Sequence, residues 1–567
     1  MIDKVRNMGN GLHVEDRSGK GNRSRRRGVL QFISSAQMRT LDEQTIQEIG
    51  LPAAVLIENA GRAIAAEVVR FCLDQKVHKV NRGGQGRLQR RIWDEYPNGV
   101  SNPNSLELEH WLVLVGKGNN GADGIAAARY LVDSGLCVTL LYATSEQEMS
   151  IETLAQAAIA QKLGIPSKLY GRDDLAYGQF TGIIDALLGT GSRGNPRGNV
   201  AEMIDQANLT GLPIMCADIP SGVDADTGAL YHPCIQARVT LCLGVLKAGL
   251  TQYPGAHAAG TVVVRSIGIP AKLAANVKPA GFVLTDEILE RELGVDPARL
   301  RDSDGHKGTY GHVLVAAGSS TMSGAGLLAS KAALRAGCGL ATWALPEALA
   351  PHVAGAVPEL MLAPVGGSMG WGAAAAHEVL RLLETRDVLA VGPGLGRFEE
   401  EGAFLRALWE GAPRPLVVDA DALNILAAAG GLAAWKRRES ATILTPHPGE
   451  MARLAGVSTA EVQRDRLGLA RAFALEHGIT LVLKGSRTVV AAPDGRIFVN
   501  TTGTPGMATG GAGDVLTGII AGQLAQGLSA EQAAAFGVHL HGLAGERAAA
   551  LRNSPASLLA GDIIEQL

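Results

Sequence analysis

The chain has 567 residues, 46% of them hydrophobic but only 4% aromatic. It is too long for one ordinary domain and must build its cores from Ala, Val, Leu and Ile. A net charge of −3 excludes nucleic acid as an electrostatic partner for the bulk of the chain. The six cysteines, Cys72, Cys137, Cys216, Cys234, Cys242 and Cys338, form no CxxC pair, which excludes a disulfide framework and a zinc site. No apolar run nears the ~18 residues of a membrane helix, so a cytoplasmic protein with no membrane partner is expected.

Residues 1–30 are polar and lack periodicity, and hold the basic run Arg23, Arg25, Arg26 and Arg27. They are predicted to be a disordered, solvated arm rather than a targeting peptide. Ser35 is expected to cap a helix from Ala36 to about Ile49, and a second helix is expected from Pro52 to Leu73. Residues 81–109 read as a surface insertion or long loop. From Trp111 the texture becomes an alternation of apolar strands and helices: WLVLV (111–115), VTLLY (138–142), GIIDALLG (182–189), PIMCADIPSG (213–222), TLCLG (240–244) and TVVVRSIGIP (261–270). After a boundary near 271–285 the pattern restarts with HVLVAAG (312–318), DVLAVGPGLG (387–396), PLVVDADALN (415–424), ATILTPHPGE (441–450) and TLVLKGSRTVVAA (480–492). Strands alternating with helices predict an α/β protein with doubly wound parallel sheets. One domain is expected over 31–275, carrying the 81–109 insertion, and a second over 281–567.

GKGNNGADG (116–124) follows a predicted strand and precedes a helical stretch, Ile125–Val132. Glycines let a backbone approach a pyrophosphate, and a helix start offers free N–H groups to an anion; the plainer alternative is a glycine-rich turn with no ligand. Asp185 ends an apolar run and precedes a second glycine loop, GTGSRGNPRG (189–198), while Asp218 and Ser221 stand at another strand end in DIPSGVDADTG (218–228). Polar residues at the tips of separate parallel strands gather into one crevice. With IENAG (57–61), KAGL (247–250) and SIGIP (266–270), these motifs resemble the N-terminal domain of the bifunctional NAD(P)H-hydrate repair enzymes, the NAD(P)HX epimerases. The resemblance implies a Rossmann-like sheet and epimerisation of a hydrated nicotinamide ring. By position it implies that Asn119, Asn120, Gly121, Ala122 and Asp123, with Gly189, Thr190, Gly191, Ser192, Arg193, Gly194 and Asn195, bind the hydrated dinucleotide. It implies a K⁺ ion on Asn120, Asp185 and Ser221, whose amide, carboxylate and hydroxyl oxygens suit a hard cation, and substrate contact with proton transfer at Asp218. Lys117 stands where the family usually has Pro, and Ala122 where it usually has Gly. The second departure puts a methyl group where the backbone is expected to approach the ligand.

The strongest single signal is TTGTPGMATGGAGDVLTG (501–518). GGAGD (510–514) is expected to open a helix whose N–H groups and dipole form an anion hole, with Asp514 beside it to take a proton from an attacking hydroxyl. LKGSRT (483–488), TPHPGE (445–450), DADALN (419–424), GPGLG (392–396) and HKGTYG (306–311) are its expected partners. Together they resemble the ribokinase-like fold and, more narrowly, the NAD(P)H-hydrate dehydratase domain. The resemblance implies that Lys484, Gly485, Ser486, Arg487, Thr488 and Gly513 bind the adenine nucleotide, and that Ala325, Gly394, His447 and Asp514 line the hydrated cofactor. A lone histidine is more often a core or cap residue, but His447, between two prolines at a strand end, is expected to contact ligand. In the implied reaction ADP or ATP, accompanied by Mg²⁺ held mainly through phosphates and water, phosphorylates the ring hydroxyl, with Asp514 as base; phosphate then leaves. ADP is the expected donor.

The leading reading is therefore a bifunctional enzyme that interconverts the R and S hydrates in one half and converts the S form back to NADH or NADPH in the other. The alternative is a ribokinase-like small-molecule kinase with a non-catalytic N-terminal binding module. NADHX, NADPHX and an adenine nucleotide are the expected partners, along with self-association into a homo-oligomer.

Overall fold

The computed structural model describes residues 31–81, 106–367 and 370–567. The expected arm at 1–30 and most of the expected insertion lie outside the described residues. The chain divides into two compact units, one ending at Ala280 and the other spanning Gly281–Leu567.

In the first unit, strands β1 (Gln31–Ile33), β2 (His110–Val115), β3 (Cys137–Tyr142), β4 (Ser167–Leu169), β5 (Gly182–Ala186), β6 (Ile214–Ala217), β7 (Val239–Leu243), β8 (Leu246–Lys247) and β9 (Thr261–Arg265) follow one another. Seven form a sheet in the order β4-β3-β2-β5-β6-β7-β9, every neighbouring pair parallel. The strands are near-continuous apolar runs because helices cover both faces; Trp111, Ile184 and Met215 belong to one buried cluster, Leu112, Ile183 and Cys216 to the other. A separate parallel pair, β1 with β8, sets Phe32 opposite Leu246 and Ile33 opposite Lys247.

The first helix is Ser35–Gln47, capped by Ser34 and not by Ser35; Ser34 forms a reciprocal capping box with Gln37. Ser35 is not free to cap, because its N–H and hydroxyl both donate to Asp226, at 2.6 and 2.8 Å. The second helix, Ala53–Asn81, runs past the expected end at Leu73. Helix Asn119–Asp133 begins inside the glycine loop, well before Ile125, so Asn119 to Asp123 occupy its first turns.

In the second unit come β10 (Gly281–Val283), β11 (His312–Ala316), β12 (Leu340–Pro346), β13 (Met361–Val365), β14 (Val388–Val391), β15 (Leu416–Val418), β16 (Thr442–Leu444), β17 (Thr480–Leu483), β18 (Val489–Ala491) and β19 (Ile497–Val499). They are ordered β13-β12-β11-β14-β15-β16-β17-β18-β19-β10. Pairing is parallel from β13 to β17. TLVLKGSRTVVAA, read as one strand and its loop, is instead an antiparallel hairpin of β17 and β18 with Leu483 opposite Val489. Helix Ala512–Ala525 is buried along nearly its whole length and packs closely on helix Ser323–Arg335; a Cβ on Gly518 would lie 2.0 Å from Ala329 O.

Candidate active sites

The carboxyl ends of β2, β5 and β6 bring Asn120, Asp185 and Ser221 into one hydrogen-bonded chain. Asn120 Nδ2 donates to Leu188 O (3.0 Å), Leu188 N–H donates to Ser221 Oγ (3.0 Å), and the Ser221 hydroxyl and N–H donate to the two Asp185 oxygens (2.7 and 2.8 Å). Asp185 is fully buried, and burial pushes its carboxyl above the ordinary range against the pull of these hydrogen bonds. Asn120 Oδ1 is buried with no hydrogen-bond partner. An orphaned amide oxygen linked to a carboxylate and a hydroxyl is a donor set that fits a hard cation.

A second cluster forms where β6 ends. Asp218 has φ +68°, a left-handed conformation that a non-glycine residue holds at a cost of about 1–3 kcal/mol and that concentrates at functional sites. Its Oδ1 accepts from Leu243 N–H at 3.1 Å and from Lys247 Nζ, which also donates to Leu243 O at 2.5 Å. Lys247 is only 1% exposed. Burial works against its charge, but the neighbouring Asp218 and Cys242 outweigh it and hold the ammonium at about 12. Two more carboxyls face this pair. Burial, with Asp218 and Asp42 nearby, pushes Asp123 well up. Burial raises Asp42 to about 6, with Lys247 pulling back and Asp218 and Glu43 pushing. KAGL signalled Lys247 as part of a motif without a role; nothing in the sequence pointed to Asp42.

Three of the implied ligand residues also make contacts within the protein. The Ala122 methyl is fully buried in a cluster with Ile57 and Ala126. Arg193 donates to Asp224 (2.9 Å), Asp226 (2.5 Å) and Ser35 Oγ (2.9 Å), tying the 189–195 loop to the first helix. Asn195 Oδ1 accepts from His232 N–H at 3.1 Å. Gly189 lies over Asn120, a Cβ there being 3.5 Å from Asn120 Cβ. Asn119 is exposed, as are Gly191 and Gly194, while Thr190 and Ser192 are half-buried.

In the second unit the helix Ala512–Ala525 opens at Gly511, with Asp514 in its first turn. Burial raises the Asp514 carboxyl to about 7, Asp419 pushing further, Lys484 pulling back and Asp421 pushing. No protein hydrogen bond reaches that carboxyl among the described residues. Beside it Lys484 Nζ donates to Asp419 Oδ1 at 2.6 Å and lies 3.9 Å from Glu450 Oε2, while Thr517 Oγ1 donates to Asp419 Oδ2 at 2.6 Å. Lys484 Nζ is 3.4 Å from where a Cβ on Gly513 would be. Lys484 therefore stands at the helix start with Asp514 and Gly513, whereas Gly485 and Ser486 turn outward at the tip of the β17–β18 hairpin. Arg487 is buried at φ +60°, and Thr488 Oγ1 donates to Gly485 O at 2.9 Å.

His447 is the N-cap of helix Pro448–Ala455: its Nδ1 accepts from Gly449 N–H (3.0 Å) and Glu450 N–H (3.3 Å). One ring nitrogen is thus spent on the helix, and Glu450 returns a bond to His447 N–H at 2.8 Å. Burial raises Glu450 to about 7 despite Lys484. Ala325 and Gly394 meet each other; a Cβ on Gly394, which has φ +62°, would lie 2.9 Å from Ala325 Cβ. Asp421 accepts from Gly396 N–H at 2.9 Å, tying GPGLG to DADALN. HKGTYG is not a partner of this site. It precedes the amino end of β11, and a Cβ on Gly311 would strike Ala525 O at 2.0 Å, at the far end of a 14-residue helix, about 16 Å from Asp514 at ~1.5 Å per residue. Asp419, Glu450 and Thr517 were not singled out in sequence, although DADALN and TPHPGE contain the first two.

Two α/β units, each collecting a lysine and several carboxyls, the lysine buried in the first and half-buried in the second, define an enzyme with two separate sites. Residues 53–249 match the family described as YjeF-related protein N-terminus, and residues 313–567 the family described as NAD(P)H-hydrate dehydratase. The chain is 38% identical over 547 residues to the bifunctional NAD(P)H-hydrate repair enzyme Nnr of Moorella thermoacetica, covering 95% of this chain and 96% of that one. With the Escherichia coli enzyme of the same name it shares 36% over 464 residues, covering 81% and 85%. Among solved structures, the ADP/ATP-dependent NAD(P)H-hydrate dehydratase of Bacillus subtilis, co-crystallised with ATP/Mg²⁺, is 33% identical, covers 50% of this chain and 95% of its own, and has a TM-score of 0.43. The chain belongs to the family of bifunctional NAD(P)H-hydrate repair enzymes.

Proposed function

We propose that the unit ending at Ala280 interconverts the R and S hydrates of NADH and NADPH, and that the Gly281–Leu567 unit dehydrates the S form with ADP or ATP as phosphoryl donor. Family membership supports the pair of activities. The observation that carries the second is Asp514, a carboxyl raised to about 7 with no protein hydrogen bond among the described residues, in the first turn of a helix beside the half-buried Lys484. A base is most useful when its pKa lies near the working pH. As the ring hydroxyl oxygen attacks the terminal phosphorus, its proton passes to Asp514 and the P–O bond to the departing nucleotide breaks. The N–H groups around Gly511–Gly513 and the Lys484 ammonium receive the charge on the phosphoryl oxygens. Loss of phosphate from the hydroxyl-bearing carbon and of a proton from its neighbour then restores the ring double bond.

The nucleotide contacts of Lys484 to Thr488 and Gly513, and the cofactor contacts of Ala325, Gly394 and His447, belong to this reading, as do those of Asn119 to Asp123 and Gly189 to Asn195 in the other unit. Mg²⁺ bound with the nucleotide would neutralise phosphate charge. Asn120, Asp185 and Ser221 would hold K⁺, a fixed positive charge at the end of β5, supported by the orphaned Asn120 Oδ1. Six free cysteines support a reducing, cytoplasmic setting, and no helix among the described residues is long and apolar enough to cross a membrane; self-association is checked by sedimentation.

Asp514→Asn is expected to keep nucleotide binding, read by calorimetry, while slowing dehydration ~10²–10⁴-fold; near-normal turnover overturns the assignment. Kinetics with ADP and ATP, each freed of the other, are expected to favour ADP in kcat/KM.

A further inference from the structure

Helix Ser35–Gln47 lies outside the 53–249 family match, yet it brings the Asp42 carboxyl within electrostatic reach of the Asp218–Lys247 pair. Two features hold it there. The β1–β8 pairing sets Ile33 opposite Lys247, so the chain enters the helix two residues after lying beside the lysine. The helix start is then clamped, because Ser35 donates to Asp226 through N–H and hydroxyl and also accepts from Arg193 on the 189–195 loop. Asp42, half-buried on this helix, has no hydrogen-bond partner among the described residues. The charged and titratable groups within electrostatic reach of it and of the pair are Lys247 on β8, Asp218 after β6, Asp123 on helix Asn119–Asp133, Cys242 on β7 and Glu43 on its own helix. Burial and the neighbouring carboxyls push both Asp42 and Asp123 up around this ammonium.

We propose that Asp42 is the second proton-handling group of the epimerase site, donating the proton while Asp218, fixed by Lys247, accepts one. This rests on the epimerase reading of the unit. The hydrated ring carries its hydroxyl on a carbon bonded to the ring nitrogen. Asp42 protonates that hydroxyl, and the C–O bond breaks with its electron pair to oxygen, releasing water. The nitrogen lone pair forms C=N, water adds to the opposite face, and its proton goes to Asp218. Nothing is oxidised or reduced, and the pair ends with one proton, as it began. Lys247, whose ammonium is held on Asp218 and Leu243 O, is a positioning residue.

The test uses the full chain and purified R and S NADHX, with interconversion followed by chromatography and corrected for the uncatalysed rate. Wild type is expected to show a bell-shaped kcat with its upper limb at pH 6 or above, since Asp42 lies at about 6 and the limb reports loss of the shared proton. Asp42→Asn is expected to slow interconversion ~10²–10⁴-fold and to remove that limb, and Asp42→Glu to restore at least part of the rate. Dehydration of the S form by the same preparations is expected to be unchanged. A flat wild-type profile from pH 5 to 9, or an Asn variant within about threefold of wild type, overturns the proposal. Should the Asn variant fail to fold, the wild-type profile decides alone. A wild-type chain that dehydrates S but does not interconvert the epimers overturns the epimerase reading itself.

Discussion

At the start of helix Asn119–Asp133 the N-cap Gly118 is open, whereas the places left by missing side chains at Gly116 and Gly121 are filled by protein. A Cβ on Gly116 would lie 1.8 Å from Leu187 O, and one on Gly121 2.1 Å from Gly116 O. At the start of helix Ala512–Ala525 the pattern is reversed: a Cβ on the N-cap Gly511 would strike Leu328 Cδ1 at 2.6 Å, whereas Gly510 has nothing within 4 Å and a Cβ on Gly513 would be 3.4 Å from Lys484 Nζ. Gly116 and Gly121 seat the first helix against β2 and β5; Gly510 and Gly513 keep space and backbone N–H groups beside a half-buried ammonium. Similar sequence texture thus divides between packing and access in both units, with the N-cap glycine open in the first and packed in the second. Of the acid–base groups of the first unit only Asp123 belongs to the glycine turn, while Asp218, Lys247 and Asp42 come from elsewhere.

The contrast can be broken by substitution. The largest effect is expected from Asp419→Ala, which leaves the half-buried Lys484 without its main partner and should cost about 3 kcal/mol, the low end for a buried pair, read by denaturant unfolding of the second unit; a loss under about 1 kcal/mol would show the pair to be dispensable. Gly121→Ala forces a methyl against a carbonyl and is expected to cost about 2–3 kcal/mol and epimerase activity, with dehydration retained. Equal stability of variant and wild type would mean the turn is not closed by packing.

Next comes the pH dependence of Asp514 and Glu450, both raised to about 7. A carboxyl raised on folding contributes stability that is fully present below its unfolded value and lost as pH rises through its folded value. The nucleotide-free protein should therefore weaken between pH 5 and 8. Asp514→Asn should relieve part of that loss, on the order of 1–3 kcal/mol at pH 8, while abolishing most turnover. A melting-temperature difference between variant and wild type that does not grow with pH would contradict the assignment.

Ala122→Gly, which restores the residue more usual in the family, should cost about 1–2 kcal/mol through helix propensity and lost methyl burial and should not speed epimerisation; a faster variant would mean that the methyl obstructs the ligand after all. The smallest effect is expected from Gly510→Ala, within about 0.5 kcal/mol in stability, any loss appearing instead in phosphoryl transfer.

The parallel α/β architecture was legible because strands buried on both faces are written as short continuous apolar runs, and the polar residues that end them mark the carboxyl edge of each sheet. The hairpin of β17 and β18 was not, since KGSRT reads equally as a loop after a strand and as a tight turn between two. His447 showed the other limit: its proline-flanked setting suggested a ligand, and its Nδ1 caps a helix.

What the sequence determined by itself was which residues arrive at strand ends and helix starts, since that follows from local periodicity and turn chemistry: Asp185, Asp218, Ser221 and His447 after strands and Asp514 at a helix start. Which of them meet was decided only by the tertiary structure. HKGTYG went to the opposite end of the buried helix, the Ala122 methyl into the core, and Asp42 and Lys247, far apart in the chain, to the same carboxylate. Burial and charge neighbours are properties of the packed fold, and they determine which carboxyls hold a proton near neutral pH.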